Sequence, residues 1–206
     1  MLFTVNKGDA CKVGVSNVIT ESGAYVGKIT QAVVFKSPSG AVSVEFLFQN
    51  DAQSTFTRLW LTNSSGEEAF GKKIFDALMV VLGLDNLETH TGPYYNHKGE
   101  KMQGEIIPLL YGKPIGMLLQ RTNREFVDES GETRTSFQMD LVTPFHPVTR
   151  LIAREILSGA QTAQLLDKRL SSLKDRTQKA RQPAPIGRQA SAQTKTPANL
   201  VDDIPF

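Results

Sequence analysis

The first half of this 206-residue chain contains segments in which hydrophobic and polar residues alternate, the pattern of half-buried β-strands. Residues 1–20 show no clear period. Residues 23–36 then predict one long strand, and Gly27 inside it predicts a bend of the kind a strand makes when it curls around a small barrel. Residues 42–49 predict a second strand and residues 55–62 a third, so the chain begins as a run of three consecutive strands.

A helix is predicted directly after the third strand. Phe70, Ile74 and Leu78 recur at helical spacing, and Gly83 is placed to end the helix. Residues 65–68 resemble a capping box and predict that the helix begins there.

Three strands followed by one helix form the first half of a five-stranded barrel of the oligonucleotide/oligosaccharide-binding type (OB-fold). In that fold the helix between strands 3 and 4 covers the end of the barrel. We therefore expect a mainly β fold of this type with appended helices.

The second half of the chain predicts closure of the barrel and then a helical piece. Residues 85–105 read as a long excursion without strong periodicity. Residues 115–127 and 133–142 predict a hairpin that supplies the closing strands. A short helix is predicted at residues 151–157, and a second one from Leu166 to about Lys179.

The predicted organisation has four parts. An OB-like domain occupies residues 1–145, a helical extension residues 146–180, a linker residues 181–201, and a terminal segment residues 202–206. The linker has hardly any apolar anchor, which predicts disorder. The leucines of the extension could pack on the chain's own barrel or on a second copy, so the sequence leaves a homo-oligomer open.

Composition and charge narrow the classes of protein. Apolar residues make up 40% of the chain and charged residues 21%, as in soluble globular proteins. No signal peptide or membrane-spanning run is evident, and the single cysteine, Cys11, fits a reducing compartment, so we expect a cytoplasmic protein. Residues 1–150 carry 14 Lys/Arg against 16 Asp/Glu, a balance of −2, and residues 151–206 carry 9 against 5, a balance of +4. A strongly basic body is therefore excluded.

The usual signatures of catalysis are missing from the sequence. We find no Gly-rich phosphate loop, no nucleophile elbow and no His/Cys spacing typical of zinc sites. His90 and His97 fall in one predicted loop, where solvated side chains are expected. We therefore expect a protein that is not an enzyme and has no metal or cofactor. A metal-dependent nuclease with scattered carboxylate ligands stays as the less favoured alternative.

The third predicted strand carries the most informative candidate residues. Phe56, Arg58 and Trp60 share the face opposite Leu59 and Leu61. Flat rings on which bases stack, together with cations for the phosphates between them, are what single-strand binding requires. The structural alternatives are packing of Trp60 under a loop or beneath the C-terminal helices, and a surface salt bridge for Arg58.

Further candidates for the same groove come from neighbouring predicted strands and loops. They are aromatic or basic residues: Tyr25, Lys28, Lys36, Tyr94, Tyr95, Arg121 and Arg124. Arg121 and Arg124 fall on opposite faces of a regular strand, so we expect only one of them to face the groove.

The stretch Asp202-Asp203-Ile204-Pro205-Phe206 combines two carboxylates with apolar side chains. Such a segment suits a small apolar pocket with a basic rim, and Pro205 reduces the entropy cost of docking. Folding back onto the chain's own domain is the alternative. The segment resembles the C-terminal tail of bacterial single-stranded DNA-binding proteins. That resemblance implies that it recruits replication, recombination and repair enzymes, with Asp202 and Asp203 meeting the basic rim and Phe206 filling the pocket.

The body of the chain resembles phage-encoded single-stranded DNA-binding proteins. The similar segments are residues 22–32, residues 113–121 and the predicted helix at 165–176. This resemblance implies an OB-type fold, sequence-tolerant coating of single-stranded DNA during phage replication, recombination and repair, and capture of host enzymes in the host cytoplasm. A protein–protein adaptor or recombination mediator with a similar barrel is the alternative function.

Overall fold

A computed structural model describes residues 17–128 and 130–179 of the protein, which form a mainly antiparallel β-sheet with three short helices. The strands in these ranges are β1 (Gly23–Lys36), β2 (Val42–Gln49), β3 (Ser54–Trp60), β4 (His90–Tyr95), β5 (Lys101–Ile106), β6 (Pro114–Val127), β7 (Thr133–Phe145) and β8 (Arg176–Gln178). The helices are α1 (Phe70–Leu82), α2 (Ala153–Leu157) and α3 (Leu165–Ser171), with a 3-10 turn at Pro108–Leu110. The predicted linker at 181–201 and the segment 202–206 lie outside the described residues.

The long strand β1 organises the sheet, because different parts of it pair with three other strands. It pairs with β6 from Gly23 to Lys28 and with β2 from Lys28 to Lys36. It also pairs with β5 at Val33 and Val34. Gly27, where the sequence predicted a bend, lies next to Lys28, at which β1 changes partner, and the β1–β2 register is irregular between Ile29 and Gln31.

The sheet is open, so the closed five-stranded barrel predicted from the sequence is not found. Eight strands, rather than five, are formed within the described ranges, and no backbone ladder there joins β3 to β7. The predicted excursion at residues 85–105 contains a hairpin, β4–β5, which adds to β1. Alternation tells which face of a strand is buried but not which edge finds a partner, and closure depends on the edges.

Helix α1 lies between β3 and β4, as predicted, but begins later than the sequence indicated. It starts at Phe70, and the predicted capping box does not form. Instead, the Asn63 side-chain oxygen accepts hydrogen bonds from the backbone N–H groups of Ser65 and Glu67 at 2.9 and 3.0 Å, which holds this stretch in a turn. Gly83 ends the helix with a φ of 64°, which confirms the predicted C-terminus.

The C-terminal part packs on the chain's own sheet. The predicted β6–β7 hairpin is formed. The leucines of the helical extension pack beside β7. Leu166 is fully buried in a cluster with Phe145 of β7, and Leu170 and Leu173 pack against that cluster. The second predicted helix ends at Ser171 instead of near Lys179, and β8 follows it, parallel to β6.

The main core lies between the sheet and α1. Phe46 and Phe48 of β2 and Leu78 of α1 are fully buried, and the ring of Phe46 stacks on Phe75 of α1 with a centroid distance of 6.3 Å. This packing holds the β2–β3 sheet with one face on the core and the other face outward. The outward face is the one that carries the candidate site.

Candidate functional site

Strand β3 has the alternation that the sequence predicted. Thr57 and Leu59 are buried, whereas Arg58 and Trp60 are exposed on the other face and Phe56 is partly exposed there. Trp60 retains 45% of its surface in contact with solvent. The alternative in which Trp60 packs beneath a loop is therefore not what the structure shows.

Phe56, Arg58 and Trp60 line a groove between β3 and β7, the two strands that no ladder joins. The cavity at the Trp60 end has a volume of about 330 Å³, and its lining includes Glu45, His97 and Arg124. A second cavity of about 330 Å³ continues past Phe56. The two cavities share four lining residues, Phe56, His97, Gln138 and Met139. They therefore form one continuous groove, which we call the β3–β7 groove.

Among the described residues, one side-chain hydrogen bond ties β3 to β7 at the floor of the β3–β7 groove. The backbone N–H of Leu141 on β7 donates to the Thr57 hydroxyl oxygen at 3.1 Å. On the β7 side, the Asp140 carboxylate accepts hydrogen bonds from the Thr122 hydroxyl and the Gln138 amide, both at 2.6 Å. The junction between β3 and β7 is thus bridged at the floor of the groove, while the outer side of the groove stays open.

A buried carboxylate organises the polar part of this groove. Glu45 is 6% exposed, and its Oε2 accepts hydrogen bonds from Arg58 Nε at 3.1 Å and from Arg58 Nη2 at 2.7 Å. The Arg58 guanidinium also lies over the ring of Phe35, 5.1 Å from its centroid. The salt bridge considered as the structural alternative for Arg58 is therefore formed, and much of its charge is directed at Glu45.

The tip of the β4–β5 hairpin reaches over the groove. His97 Nε2 lies 3.2 Å from Glu45 Oε2, and the imidazole lies on the Phe56 ring with a centroid distance of 4.0 Å and an interplanar angle of 37°. Gln31 fixes the base of this tip: its amide accepts from the Tyr95 N–H at 2.7 Å and donates to the Tyr95 carbonyl at 2.8 Å. His97 is the exposed loop residue that the sequence predicted, with 60% of its side chain accessible, and its contacts with Glu45 and Phe56 also make it part of the candidate site.

The two arginines of β6 have different environments, as their opposite faces predicted. Arg124 lines the groove and takes part in no ion pair or side-chain hydrogen bond with any described residue. Arg121 lies over the Phe137 ring, 4.6 Å from its centroid, and donates to Asn123 Oδ1 at 2.8 Å. Of the two, Arg124 is the cation free to meet a ligand in the groove.

The aromatic candidates outside β3 do not line the groove. Burial, together with the nearby Glu21 carboxylate, raises the pKa of the Tyr25 phenol, which donates to the Glu21 carbonyl at 2.8 Å. Tyr94 packs edge-on against Phe35 with a centroid distance of 5.8 Å. Tyr95 is 55% exposed and lies at the end of β4, beside the tip that carries His97.

The lysine candidates also lie elsewhere. Lys28 lines a separate cavity with Gly27 and residues 49–51. Lys36 is exposed at the end of β1. The structure thus brings together Phe56, Arg58, Trp60 and Arg124 from the predicted set. It adds Glu45 and His97. Their contact depends on how the β4–β5 hairpin packs over β2, and no pattern in the sequence indicates that packing.

The described parts of the chain contain no group of three or more His, Cys, Asp or Glu side chains arranged to hold a metal ion. Among the helices described, none has the length and hydropathy needed to cross a membrane.

Comparison with known proteins finds no family model that matches this chain and no curated protein similar to it.

Proposed function

We propose that the protein binds single-stranded DNA without sequence preference, with bases stacking in the β3–β7 groove. One observation carries the proposal: the half-exposed Trp60, the Phe56–His97 ring pair and the unpaired Arg124 line a single open groove. Aromatic platforms beside a cation are the elements that single-strand binding combines.

The spacing of the rings supports binding of more than one base. Phe56 and Trp60 lie four residues apart on one face of β3, which corresponds to about 13–14 Å along a strand. Rings that far apart cannot contact the same base. Trp60 would therefore stack one base and the Phe56–His97 pair another, with the strand running along the groove.

Part of the element order supports an OB-type assignment within this proposal. A three-stranded meander and a helix come first, the β4–β5 hairpin is inserted after them, and the long β6–β7 hairpin follows. Strand β1 pairs with both β2 and β6. In OB folds the surface of strands 2 and 3 is the usual oligonucleotide-binding face. Glu45 on β2 and the aromatic face of β3 occupy the corresponding surface of this sheet.

A fluorescence titration tests the proposal, because Trp60 is the only tryptophan in the chain. We expect oligo-dT to quench Trp60 fluorescence strongly and a duplex of equal length to leave it nearly unchanged. Quenching should weaken as salt is raised, since phosphate contacts release counterions. Absence of any binding to oligo-dT, measured independently by anisotropy of a labelled strand, would refute this function.

Recruitment of partner enzymes is the second half of the proposal and rests on residues 202–206. Deleting Phe206 should abolish capture of a replication or repair enzyme while leaving affinity for oligo-dT nearly unchanged. A large loss of DNA affinity in that deletion would show that the two roles are not separate.

A protein–protein adaptor is the second candidate function, favoured by the acidic groups in the groove. Glu45 engages Arg58, and the Asp140 carboxylate also lines the groove, so the negative charge opposes phosphate. Such a groove could instead hold a peptide. Tight binding of a partner protein through the β3–β7 groove, without affinity for oligonucleotides, would establish this alternative.

A further inference from the structure

A second pocket with a different character lies between α1, the end of β7 and the C-terminal helices. It has a volume of about 200 Å³ and shares no lining residue with the β3–β7 groove. Its apolar lining comprises Phe70, Ile74, Ala77, Val142, Ile152 and Ala153. Phe70 is 74% exposed, so a large aromatic ring lies uncovered at the edge of this pocket.

Three cations surround the same pocket. Lys73 of α1, Arg154 of α2 and Arg169 of α3 line it, and no Asp or Glu does. All three are exposed, and none of them forms an ion pair or side-chain hydrogen bond with another described residue. Three separate helices therefore bring unpaired positive charge to one small apolar cavity.

Two other cations close to the pocket are, by contrast, paired with carboxylates. Lys72, next to Lys73, is paired with Asp76 at 2.5 Å. Arg150, near the start of α2, is paired with Asp167 at 2.8 Å. Both of these paired cations lie outside the pocket lining. The pocket thus presents a positive rim that is not neutralised by the protein's own carboxylates, and a ligand with carboxylates beside an apolar group would complement it.

We infer that this pocket binds residues 202–206 of the same chain. That segment supplies the complementary chemistry within five residues: carboxylates at Asp202 and Asp203 for the rim, and the Phe206 ring for the cavity beside Phe70. Pro205 limits the conformations that must be ordered on docking. The inference does not rest on DNA binding, because the pocket shares no lining residue with the β3–β7 groove.

The length of the connection allows this contact. Residues 180–201 join Lys179 to the segment, and 23 steps along an extended chain cover at most about 76–83 Å. A domain of about 160 residues has a radius of gyration of roughly 15 Å, so the segment can reach any part of its surface. Tethering also gives an effective concentration in the millimolar range, which populates even a weak site. A docked segment is withheld from partner proteins, so any enzyme that binds residues 202–206 would have to displace it.

Peptide competition on the full chain tests the inference. A labelled peptide with the sequence of residues 197–206 is titrated into the wild-type protein and into the Phe206→Ala protein, and its anisotropy is followed. We expect the peptide to bind the Phe206→Ala protein at least about fivefold more tightly, because the wild-type segment competes for the pocket. In the Phe206→Ala background, Arg154→Glu and Arg169→Glu should each weaken peptide binding about tenfold. Lys168→Glu, one residue before Arg169 on α3 but outside the lining, is the matched control and should have no effect.

Each other outcome would overturn the assignment. Equal affinity for the wild-type and Phe206→Ala proteins would show that the chain's own segment does not occupy the pocket. Unchanged binding in both arginine variants, with melting temperatures like the wild type, would exclude this pocket as the site. If displacement of the labelled peptide in the wild type increased with protein concentration, the competing segment would come from a second copy of the chain and not from the same chain.

Discussion

At the scale of single residues, the site depends on Trp60, whose ring is exposed although large aromatic side chains are usually buried. The side chain lies at the end of β3 in the β3–β7 groove, with 45% of its surface accessible. Exposure of a ring in a groove costs hydrophobic stabilisation, which a stacking ligand would recover.

Replacing Trp60 should separate stacking from folding. We expect Trp60→Ala to weaken oligo-dT binding by about 1–3 kcal/mol, roughly 5- to 150-fold, because one stacking platform is lost. Trp60→Phe keeps a ring and should lose much less affinity. Anisotropy of a labelled strand measures both variants, and thermal unfolding checks that the fold is retained. Equal affinity of the Ala variant and the wild type would remove Trp60 from the binding site.

The residues of the site were only partly predictable, and β3 shows why. Alternation correctly assigned Phe56 and Trp60 to the outward face, since a strand has a fixed period of two. It could not reveal that Arg58 would be engaged by Glu45, because that contact depends on the register between β2 and β3. Nor could it reveal His97, which reaches the groove only through the β4–β5 hairpin.

At the scale of elements, the packing of β1 against β2 depends on a close approach at Gly27. A Cβ built at Gly27 would lie 2.3 Å from the backbone carbonyl oxygen of Gln49, and backbone cannot move aside cheaply. We expect Gly27→Ala to destabilise the fold by about 1–3 kcal/mol, as overpacking does. Gly23→Ala in the same strand is the control, because its Cβ would meet only the movable Tyr25 ring at 3.3 Å. Urea denaturation measures both, and equal stabilities would contradict the argument.

The junction between α2 and α3 is held by one buried carboxylate. Glu155 Oε1 accepts from the backbone N–H groups of Gln164 and Leu165 at 2.8 and 2.9 Å, and Oε2 accepts from the N–H of Ile152 at 3.0 Å. Burial acts to raise the pKa of Glu155, but these three hydrogen bonds outweigh it, and the pKa lies below its ordinary value.

The lowered pKa of Glu155 predicts how the stability of the fold depends on pH. A carboxylate with a lowered pKa in the folded state stabilises the fold above its unfolded pKa, about 4.3, and that stabilisation is lost as pH falls through the folded value. Glu155→Gln keeps the shape but leaves part of this hydrogen bonding unmade, which we expect to cost about 1–3 kcal/mol at pH 7. Thermal unfolding of both proteins at pH 7 and pH 3 should show the difference shrinking at pH 3. A difference that is the same at both pH values would contradict the role of the charge.

Elements with a regular hydrophobic period were predicted from the sequence. Elements whose pattern is interrupted, or too short to show a period, were not. The β6–β7 hairpin and the end of α1 at Gly83 match their predictions. Strand β4, His90–Tyr95, contains Gly92 and Pro93, which argue against a strand, and forms because its neighbour β5 pairs with it. Strand β8 has three residues and is set by its packing against β6, a tertiary effect that no local pattern encodes.

At the scale of the whole molecule, the order of most elements was predictable but the closure of the sheet was not. The sequence predicted the first three strands, the helix α1 and the β6–β7 hairpin in the order observed, but neither the β4–β5 hairpin nor β8. The seam between β3 and β7 is bridged by the side chain of Thr57, whose hydroxyl takes the place that a ladder partner would have. A threonine within an alternating strand gives no sign of this, so the open groove appears only in the folded chain.

The distribution of charge over the molecule predicts a shallow salt dependence for DNA binding. Residues 1–150 carry a balance of −2, and within the groove Arg58 is engaged by Glu45, so Arg124 is the main cation free for phosphate. Each phosphate neutralised on a single strand contributes about 0.7 to the slope of log K against log salt. We therefore expect a slope of about −0.7 to −1.4 for oligo-dT binding through the groove.

Arg124→Gln should reduce the magnitude of that slope by about 0.7 and weaken binding most at low salt, because it removes the phosphate contact that we propose for Arg124. Arg134→Gln is the matched control on the same hairpin, since Arg134 is exposed but paired with Asp128 at 2.5 Å, outside the groove lining. Titrations of both variants at four salt concentrations measure the slopes. If Arg134→Gln reduced the slope as much as Arg124→Gln, the charge would act as a diffuse field over the hairpin. The assignment of a specific phosphate contact to Arg124 would then be wrong, even if Trp60 fluorescence still showed that oligo-dT binds.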